Sequence, residues 1–224
     1  TEGMLINKWD IETRIKDIVI DSRKVTEGDL FIALKGQKYD GHDFIDEVIT
    51  KNVSGIIVDK EIDIPIDDIP IIKVNNTYDS LIKIASYIRN KYDIPLIAIT
   101  GSVGKTTTKE LIYNILSTKY NVLKSINNNN NHIGLPLTLF NLKKEHEIIV
   151  TELGMNHFGE LKKLSNICKP NVAVITNIGT AHIGNLGSKR NIFKAKMEIL
   201  DGMDEGNIVI NGDDKYLNKL DRKK

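Results

Sequence analysis

Cysteine is almost missing from this sequence: Cys168 is the single one in 224 residues. Neither an intramolecular disulfide nor a cysteine-rich metal site can be assembled, and its place before Lys169-Pro170 at the end of a helical pattern marks it as a packing residue. An excess of charge is missing too. The chain carries 31 Lys and Arg against 30 Asp and Glu, a net charge of +1, which offers no global attraction to nucleic acid or to an anionic membrane. No apolar run approaches the roughly eighteen residues of a membrane helix. Residues 1–10 lack the basic, apolar, small-residue order of a signal peptide, and no internal repeat is visible. The expectation is a cytoplasmic, monomeric chain with no membrane span and no nucleic-acid partner. What is present is globular: 41% hydrophobic and 27% charged residues, at a length that allows one large domain or two smaller ones.

Apolar runs rich in β-branched residues alternate with helical patterns, which predicts an α/β fold with a largely parallel sheet. Ile18-Val19-Ile20 and Leu30-Phe31-Ile32-Ala33-Leu34 read as strands divided by the turn-prone Thr26-Glu27-Gly28-Asp29. Phe44, Ile45, Val48 and Ile49 recur at helical spacing behind a cap at Asp43, and Gly55-Ile56-Ile57-Val58 and Pro70-Ile71-Ile72-Lys73-Val74 read as further strands. Asn75-Asn76-Thr77 breaks the pattern and sets the expected domains at 1–77 and 78–224. The second opens with a helix near Asp79 whose Leu81, Ile84, Ala85 and Ile88 share a face.

A buried-type strand, Leu96-Ile97-Ala98-Ile99-Thr100, then leads into a glycine turn and a helix from about Thr106 to Thr118, the order that cradles phosphate. Later strands are expected at 147–152, 172–176 and 208–210, with helices near 158–166 and 188–203. Ligands of such sheets gather beyond the carboxyl ends of the strands, which directs Thr100, Glu152, Asn177 and Asn211 toward one crevice. Residues 127–131, all asparagine, read by composition as a flexible polar loop.

Gly101, Ser102, Val103, Gly104, Lys105, Thr106 and Thr107 form the strongest chemical motif. Helix-start amides would face phosphate, Lys105 would supply a cation and the Thr106 hydroxyl could hold Mg²⁺. The full P-loop pattern wants a glycine five positions before Gly104, where Ile99 stands, so the generic match fails by one residue. A chance Gly-Lys-Thr is the competing reading. Glu152 ends a strand in the crevice and could ligate Mg²⁺, against the plainer reading of a solvated strand terminus. His182 is a lone loop histidine, and Lys194 and Lys196 lie on a helix where lysine is ordinarily an exposed face residue.

Taken together these stretches resemble the Mur ligases, ATP-dependent amide-forming enzymes of peptidoglycan synthesis and cell-wall biogenesis. The resemblance rests on Asp21-Ser22-Arg23-Lys24, Leu34-Lys35-Gly36, Asp40-Gly41-His42-Asp43-Phe44, residues 100–106, Asn130-Asn131-His132-Ile133-Gly134-Leu135-Pro136, Glu152-Leu153-Gly154-Met155-Asn156-His157, Ala181-His182, and Lys194-Ala195-Lys196-Met197-Glu198-Ile199. The family's phosphate loop is a short form with glycine three before Gly-Lys-Thr, where Gly101 stands, so the absent P-loop glycine agrees with it.

The resemblance implies a small N-terminal domain holding the UDP end of the substrate and a central ATP-binding domain. Ser22, Arg23, Gln37, Lys38, Tyr39 and His42 would line the uridine site, and Asn130 and Asn131 would face the growing peptide or phosphates. Thr106, Glu152 and His182 look like metal ligands. Lys105, His182 and Lys196 look catalytic, Lys196 as the lysine that becomes carbamylated, a neutral amine capturing CO₂ and gaining oxygens that suit Mg²⁺. Lys194 is the competitor, set aside only by its offset from Met197-Glu198-Ile199. The substrates implied are UDP-MurNAc-tripeptide and D-Ala-D-Ala. A sister ligase adding another amino acid, a folylpolyglutamate synthetase-like ligase and a binding module without turnover stay open. The family chain begins earlier and runs on into a third, Rossmann-like domain, so this chain is expected to be cut at both ends, incomplete in its central domain, and inactive by itself.

Overall fold

Residues 3–6, 14–62, 69–126 and 130–220 are described by the computed structural model. By contact the chain divides into Thr1–Ile84 and Ala85–Lys224. In the first unit the predicted apolar runs become strands β2 (Ile18–Val19), β3 (Leu30–Ile32), β4 (Gly55–Val58) and β5 (Ile71–Lys73), joined by a short β1 (Met4–Leu5). The sheet order is β1-β5-β4-β3-β2, with β2 through β5 parallel and β1 antiparallel to β5. β1 was not foreseen, since two residues carry no periodicity. β3 and β4 are buried along their whole length, which explains their unbroken apolar character. Phe31, Ala33, Ile56 and Val58 pack with Ile45 and Val48 of α1 (Ile45–Ile49).

The helical segment starts earlier than its sequence indicates. Asp40, and not Asp43, is the cap: its side chain accepts from the His42 amide, a 3-10 turn follows over Gly41–Phe44, and only then does α1 begin. Asp43 sits inside that turn.

Helix α2 (Thr77–Lys91) begins where the sequence breaks, because Asn76 Oδ1 accepts from the Asp79 amide at 3.0 Å and Asp59 Oδ2 accepts from both Thr77 N–H and Thr77 Oγ1 at 3.1 Å. Asn76, in the stretch that breaks the apolar pattern, thus serves the helix start. The contact division between the units falls inside α2, at Ile84–Ala85.

The second unit comprises β6 (Leu96–Thr100), α3 (Lys105–Leu116), β7 (Val122–Lys124), α4 (Gly134–Phe140), β8 (Ile148–Glu152), α5 (Glu160–Cys168), β9 (Val172–Ile175), α6 (Ile183–Leu186), α7 (Lys189–Met197) and β10 (Asn207–Ile210). Its sheet is parallel throughout, in the order β10-β9-β6-β8-β7. The chain winds first to one side of β6 and then to the other, so the crevice at a topological switch point opens beyond the end of β6, between β8 and β9. The parallel α/β architecture expected from the alternating pattern is therefore present. β7, α4 and α6 were not read from the sequence: β7 is short and half-buried, α6 has four residues, and α4 carries Pro136, tolerated because first-turn amides need no helical partner.

Among the described residues no helix is long and apolar enough to cross a membrane. Cys168 is fully buried, and burial pushes its thiol up to about 12. Beside it, Arg89 caps the end of α5: Nε donates to Cys168 O at 2.8 Å, Nη1 to Tyr92 O at 2.8 Å and Nη2 to Lys169 O at 3.5 Å, with the residue 7% exposed. Removing this guanidinium strands buried carbonyls. Urea unfolding of Arg89→Met is expected to show a loss of about 2–4 kcal/mol, whereas Lys91→Met, on the exposed side of the same helix, should stay within about 0.5 kcal/mol of the parent.

Candidate functional site

β6 delivers the chain to the carboxyl edge of the second sheet at Thr100, and α3 begins at Lys105. The turn between them needs glycine at both ends. Gly101 has φ +152, and a Cβ there would lie 1.8 Å from Thr176 Oγ1; Gly104, the residue before α3, has φ +82 and open space where its Cβ would be. No side chain caps α3. Its first-turn amides, with the helix dipole behind them, are therefore arranged as a helix start that can receive an anion. Lys105 Nζ lies back across the turn and donates to Gly101 O at 3.0 Å. Val103, Gly104, Thr106 and Thr107 are exposed while Gly101 and Ser102 are buried, so the predicted phosphate residues make one continuous, open-faced turn.

Glu152 ends β8 and is 1% exposed. Its Oε2 accepts from Thr106 Oγ1 at 2.7 Å and its Oε1 from Asn130 Nδ2 at 2.8 Å, both neutral donors. A buried carboxylate beside a hydroxyl, at the edge of a phosphate-type turn, is an oxygen donor set that fits Mg²⁺. Asn130 thus serves Glu152, while Asn131 is committed to the entry of α4, its Oδ1 accepting from the Ile133 and Gly134 amides at 3.0 and 2.9 Å. Residues 127–129 of the asparagine tract lie outside the described residues. Sequence reasoning missed Lys109, 1% exposed, whose Nζ donates to Ser125 O at 2.7 Å and lies 3.3 Å from Glu110 Oε1. Its only signal was helical spacing, one turn beyond Lys105 on the inner face of α3.

His182 stands at φ +65 at the start of α6. Burial lowers its pKa, the nearby Lys196 and Lys105 cations lower it further, and Glu160 opposes them. Lys196 on α7 is 2% exposed, and burial followed by Lys105 brings its amine down to about 7. Lys194 is exposed, so the two lysines that the sequence leaves in competition differ sharply in environment. The four expected metal-site residues fall into two contacts: Thr106 with Glu152 by hydrogen bond, and His182 with Lys196 by electrostatic proximity. Among the described residues no group of three or more His, Cys, Asp or Glu gathers to hold a metal.

In the first unit, Arg23 forks onto Asp21 through Nε and Nη2, both at 2.8 Å, and its hydrogen bonds hold the Asp21 carboxyl below its ordinary value. Ser22 is buried, its carbonyl accepting from Lys51 Nζ at 2.7 Å. Gln37, Lys38 and Tyr39 project from a turn closed by the Gly36 amide on Tyr39 O at 2.8 Å, and Tyr39, 74% exposed, meets Phe44 edge-on at 6.5 Å. His42, expected to line the uridine site, is largely buried and bonded on both ring nitrogens. Nδ1 is 2.6 Å from Asp40 Oδ1, Nε2 accepts from the Asp59 amide at 3.3 Å, and the side chain is 7% exposed. Burial raises the Asp40 carboxyl, but hydrogen bonds from Lys60 and His42 outweigh it and hold it well below the carboxylate range. His42 therefore braces the turn that presents Lys38 and Tyr39.

Comparison with known proteins matches two stretches of the chain. Residues 99–224 match the Mur ligase middle domain, and residues 14–89 match the Mur ligase family, catalytic domain. UDP-N-acetylmuramoyl-tripeptide--D-alanyl-D-alanine ligase of Bacillus subtilis (strain 168) is 39% identical over 155 residues, covering 69% of this chain and 34% of that protein. The ligase of that name from Buchnera aphidicola subsp. Baizongia pistaciae (strain Bp) is 45% identical over 142 residues, 63% of this chain and 31% of that protein. Among solved structures, MurF from Acinetobacter baumannii superposes with a TM-score of 0.85 at 40% identity, covering 90% of this chain and 44% of that one. MurF ligase from Thermotoga maritima in complex with ADP gives 0.84 at 38% identity, with 95% and 49% covered. The chain spans about a third of the length of these curated relatives. With more than half of its residues in the middle-domain match, and with the short glycine turn, the buried Glu152 and the buried Lys196 at the motif positions, the chain belongs to the Mur ligase family.

Proposed function

We propose that this chain provides the nucleotide-phosphate and UDP-sugar parts of an ATP-dependent ligase that joins D-Ala-D-Ala to UDP-MurNAc-tripeptide. The observation that carries the reading is the uncapped start of α3 behind the Gly101–Gly104 turn, with Lys105 lying over it and Thr106 bonded to a buried Glu152. The names of the similar ligases, and the ADP in one of their structures, support it.

In this reading a substrate carboxylate oxygen attacks the γ-phosphorus of ATP, the bond to the β-phosphate oxygen breaks, and ADP leaves an acyl phosphate. The amine of D-Ala-D-Ala then bonds to the acyl carbon, loses a proton, and inorganic phosphate departs. Such phosphoryl transfer is mainly positioning and electrostatics. The α3 amides hold the phosphates in register, and Lys105 offsets negative charge on the transferring group. Thr106 and Glu152 would hold Mg²⁺, which when bound neutralises phosphate charge. In the first unit, Ser22, Arg23 and the exposed turn of Gln37, Lys38 and Tyr39 would receive the uridine end, with His42 bracing them.

Lys196 is assigned as the carbamylated residue. An amine held near 7 is about half neutral at pH 7, whereas an ordinary lysine is neutral in roughly one copy of 2,500. Only the neutral form captures CO₂, and the product places an anion near Lys105, whose charge disfavours the protonated Lys196.

Three outcomes check these assignments. Calorimetry with ADP should show Lys105→Ala binding at least about tenfold more weakly, the loss expected for one charge-assisted phosphate contact; unchanged affinity removes the turn from the nucleotide site. Titration with UMP, followed by NMR, should shift resonances within residues 20–44 and leave those around Gly104 nearly still. For Lys196, ¹³C-bicarbonate should produce a carbamate resonance that fades as the pH falls through about 7, because protonation removes the reactive amine. In the full ligase, assayed with D-Ala-D-Ala against L-lysine, meso-diaminopimelate and glutamate, Lys196→Ala should abolish most turnover. A short carboxylic acid should restore part of it, and Lys194→Ala should behave as the parent.

A further inference from the structure

The turn between β6 and α3 does not hold itself. It is short, two of its residues are glycines at positive φ, and Val103 is 66% exposed. Free in solution, such a segment would sample many conformations, and gathering its amides around one phosphate would cost the entropy of ordering it.

The ordering comes from the residues that follow β9. Ser102 N–H donates to Asn177 O at 3.1 Å, and Gly179 N–H donates to Ser102 Oγ at 2.8 Å. The Asn177 side chain makes the more selective contact. Its Oδ1 accepts from Val103 N–H at 3.2 Å while its Nδ2 donates to Val103 O at 3.1 Å. One amide side chain thus pairs with both backbone groups of one residue, as a neighbouring strand would. Thr176 Oγ1 adds a second donor to Val103 O at 2.6 Å. Asn177 is itself held in place, since the next amide, Ile178 N–H, donates to Asp214 Oδ2 at 2.7 Å, and Asp214 Oδ1 also accepts from Tyr216 and Leu217. The amides spent on this seam are those of Ser102 and Val103, which leaves the start of α3 free to face an anion.

We propose that Asn177 is a positioning residue of the nucleotide site, its side-chain amide clamping Val103 so that the α3 amides and Lys105 converge on the phosphates. The inference rests on the nucleotide reading of the turn. Only a side chain with a donor and an acceptor at this spacing can make the pair: alanine offers neither, and an ionised aspartate would set an oxygen against the Val103 carbonyl.

The test uses the 224-residue chain as wild type, Asn177→Ala and Thr176→Val. Amide exchange by NMR and ADP affinity by calorimetry are measured on each. In Asn177→Ala the Val103 amide should exchange at least about tenfold faster while β6 and β8 amides keep their protection, and the Kd for ADP should rise about tenfold, the loss of one to two neutral hydrogen bonds. General loosening of the fold would raise exchange throughout β6 and β8, so a rise confined to Val103 marks the clamp. Unchanged Val103 exchange, or unchanged ADP affinity, would overturn the proposal. Should Asn177→Ala fail to fold, Thr176→Val removes one donor from the same carbonyl at nearly constant volume. It should weaken ADP about threefold, and parity with wild type would count against the clamp. Absence of ADP binding to wild type would overturn the nucleotide reading and this inference together, whereas binding unaffected by both variants would overturn the inference alone.

Discussion

The second unit depends on one constraint: β6 runs parallel between β8 and β9, so three strand ends discharge onto the same edge. From it follow the position of the glycine turn after Thr100, of Glu152 opposite Thr106, and of Asn177 against Val103. Were the sheet antiparallel there, these residues would lie at opposite ends of the strands. The crossover helices that parallel pairing demands are also what allow α3 to start at the edge with its amides uncapped. Site and fold are thus one solution to one pairing pattern.

A second organising effect is the crowding of positive charge. Lys105 and Lys196 both lower the proton affinity of His182, Lys105 also lowers that of Lys196, and Lys196 is nearly inaccessible to water. Holding this group together costs free energy in the absence of anions. Phosphates arriving at α3, or a carbamate formed on Lys196, would reverse the sign of that interaction. The site is in this sense unfinished until an anion enters it.

Much of this was legible in the residues. The apolar runs of β3, β4, β6, β8 and β9 gave strands, because central parallel strands are buried on both faces and tolerate few polar residues. The turn after Thr100 was legible because Gly101 and Gly104 answer to backbone geometry. Other features were hidden for equally physical reasons. Asp40 and Asp43 are the same residue type three apart, and the Lys60 partner that engages Asp40 lies 20 positions away, where no local pattern reveals it. Lys194 and Lys196 are two apart on a helix and so point to different sides, but which side is buried depends on what packs there. The strand end directed Asn177 to the crevice, but its pairing with Val103 was hidden, since the two lie 74 positions apart in the chain.

Cys168 offers a practical consequence. With its thiol near 12 and no exposed surface, about one copy in ten thousand is thiolate at pH 8, against roughly a quarter for an ordinary cysteine. Maleimides and disulfide probes would therefore find the native chain almost silent. A cysteine introduced at an open position, such as Tyr39 in the first unit or Val103 in the second, would carry a fluorophore or spin label alone, without first deleting the residue that fills the space beneath Arg89.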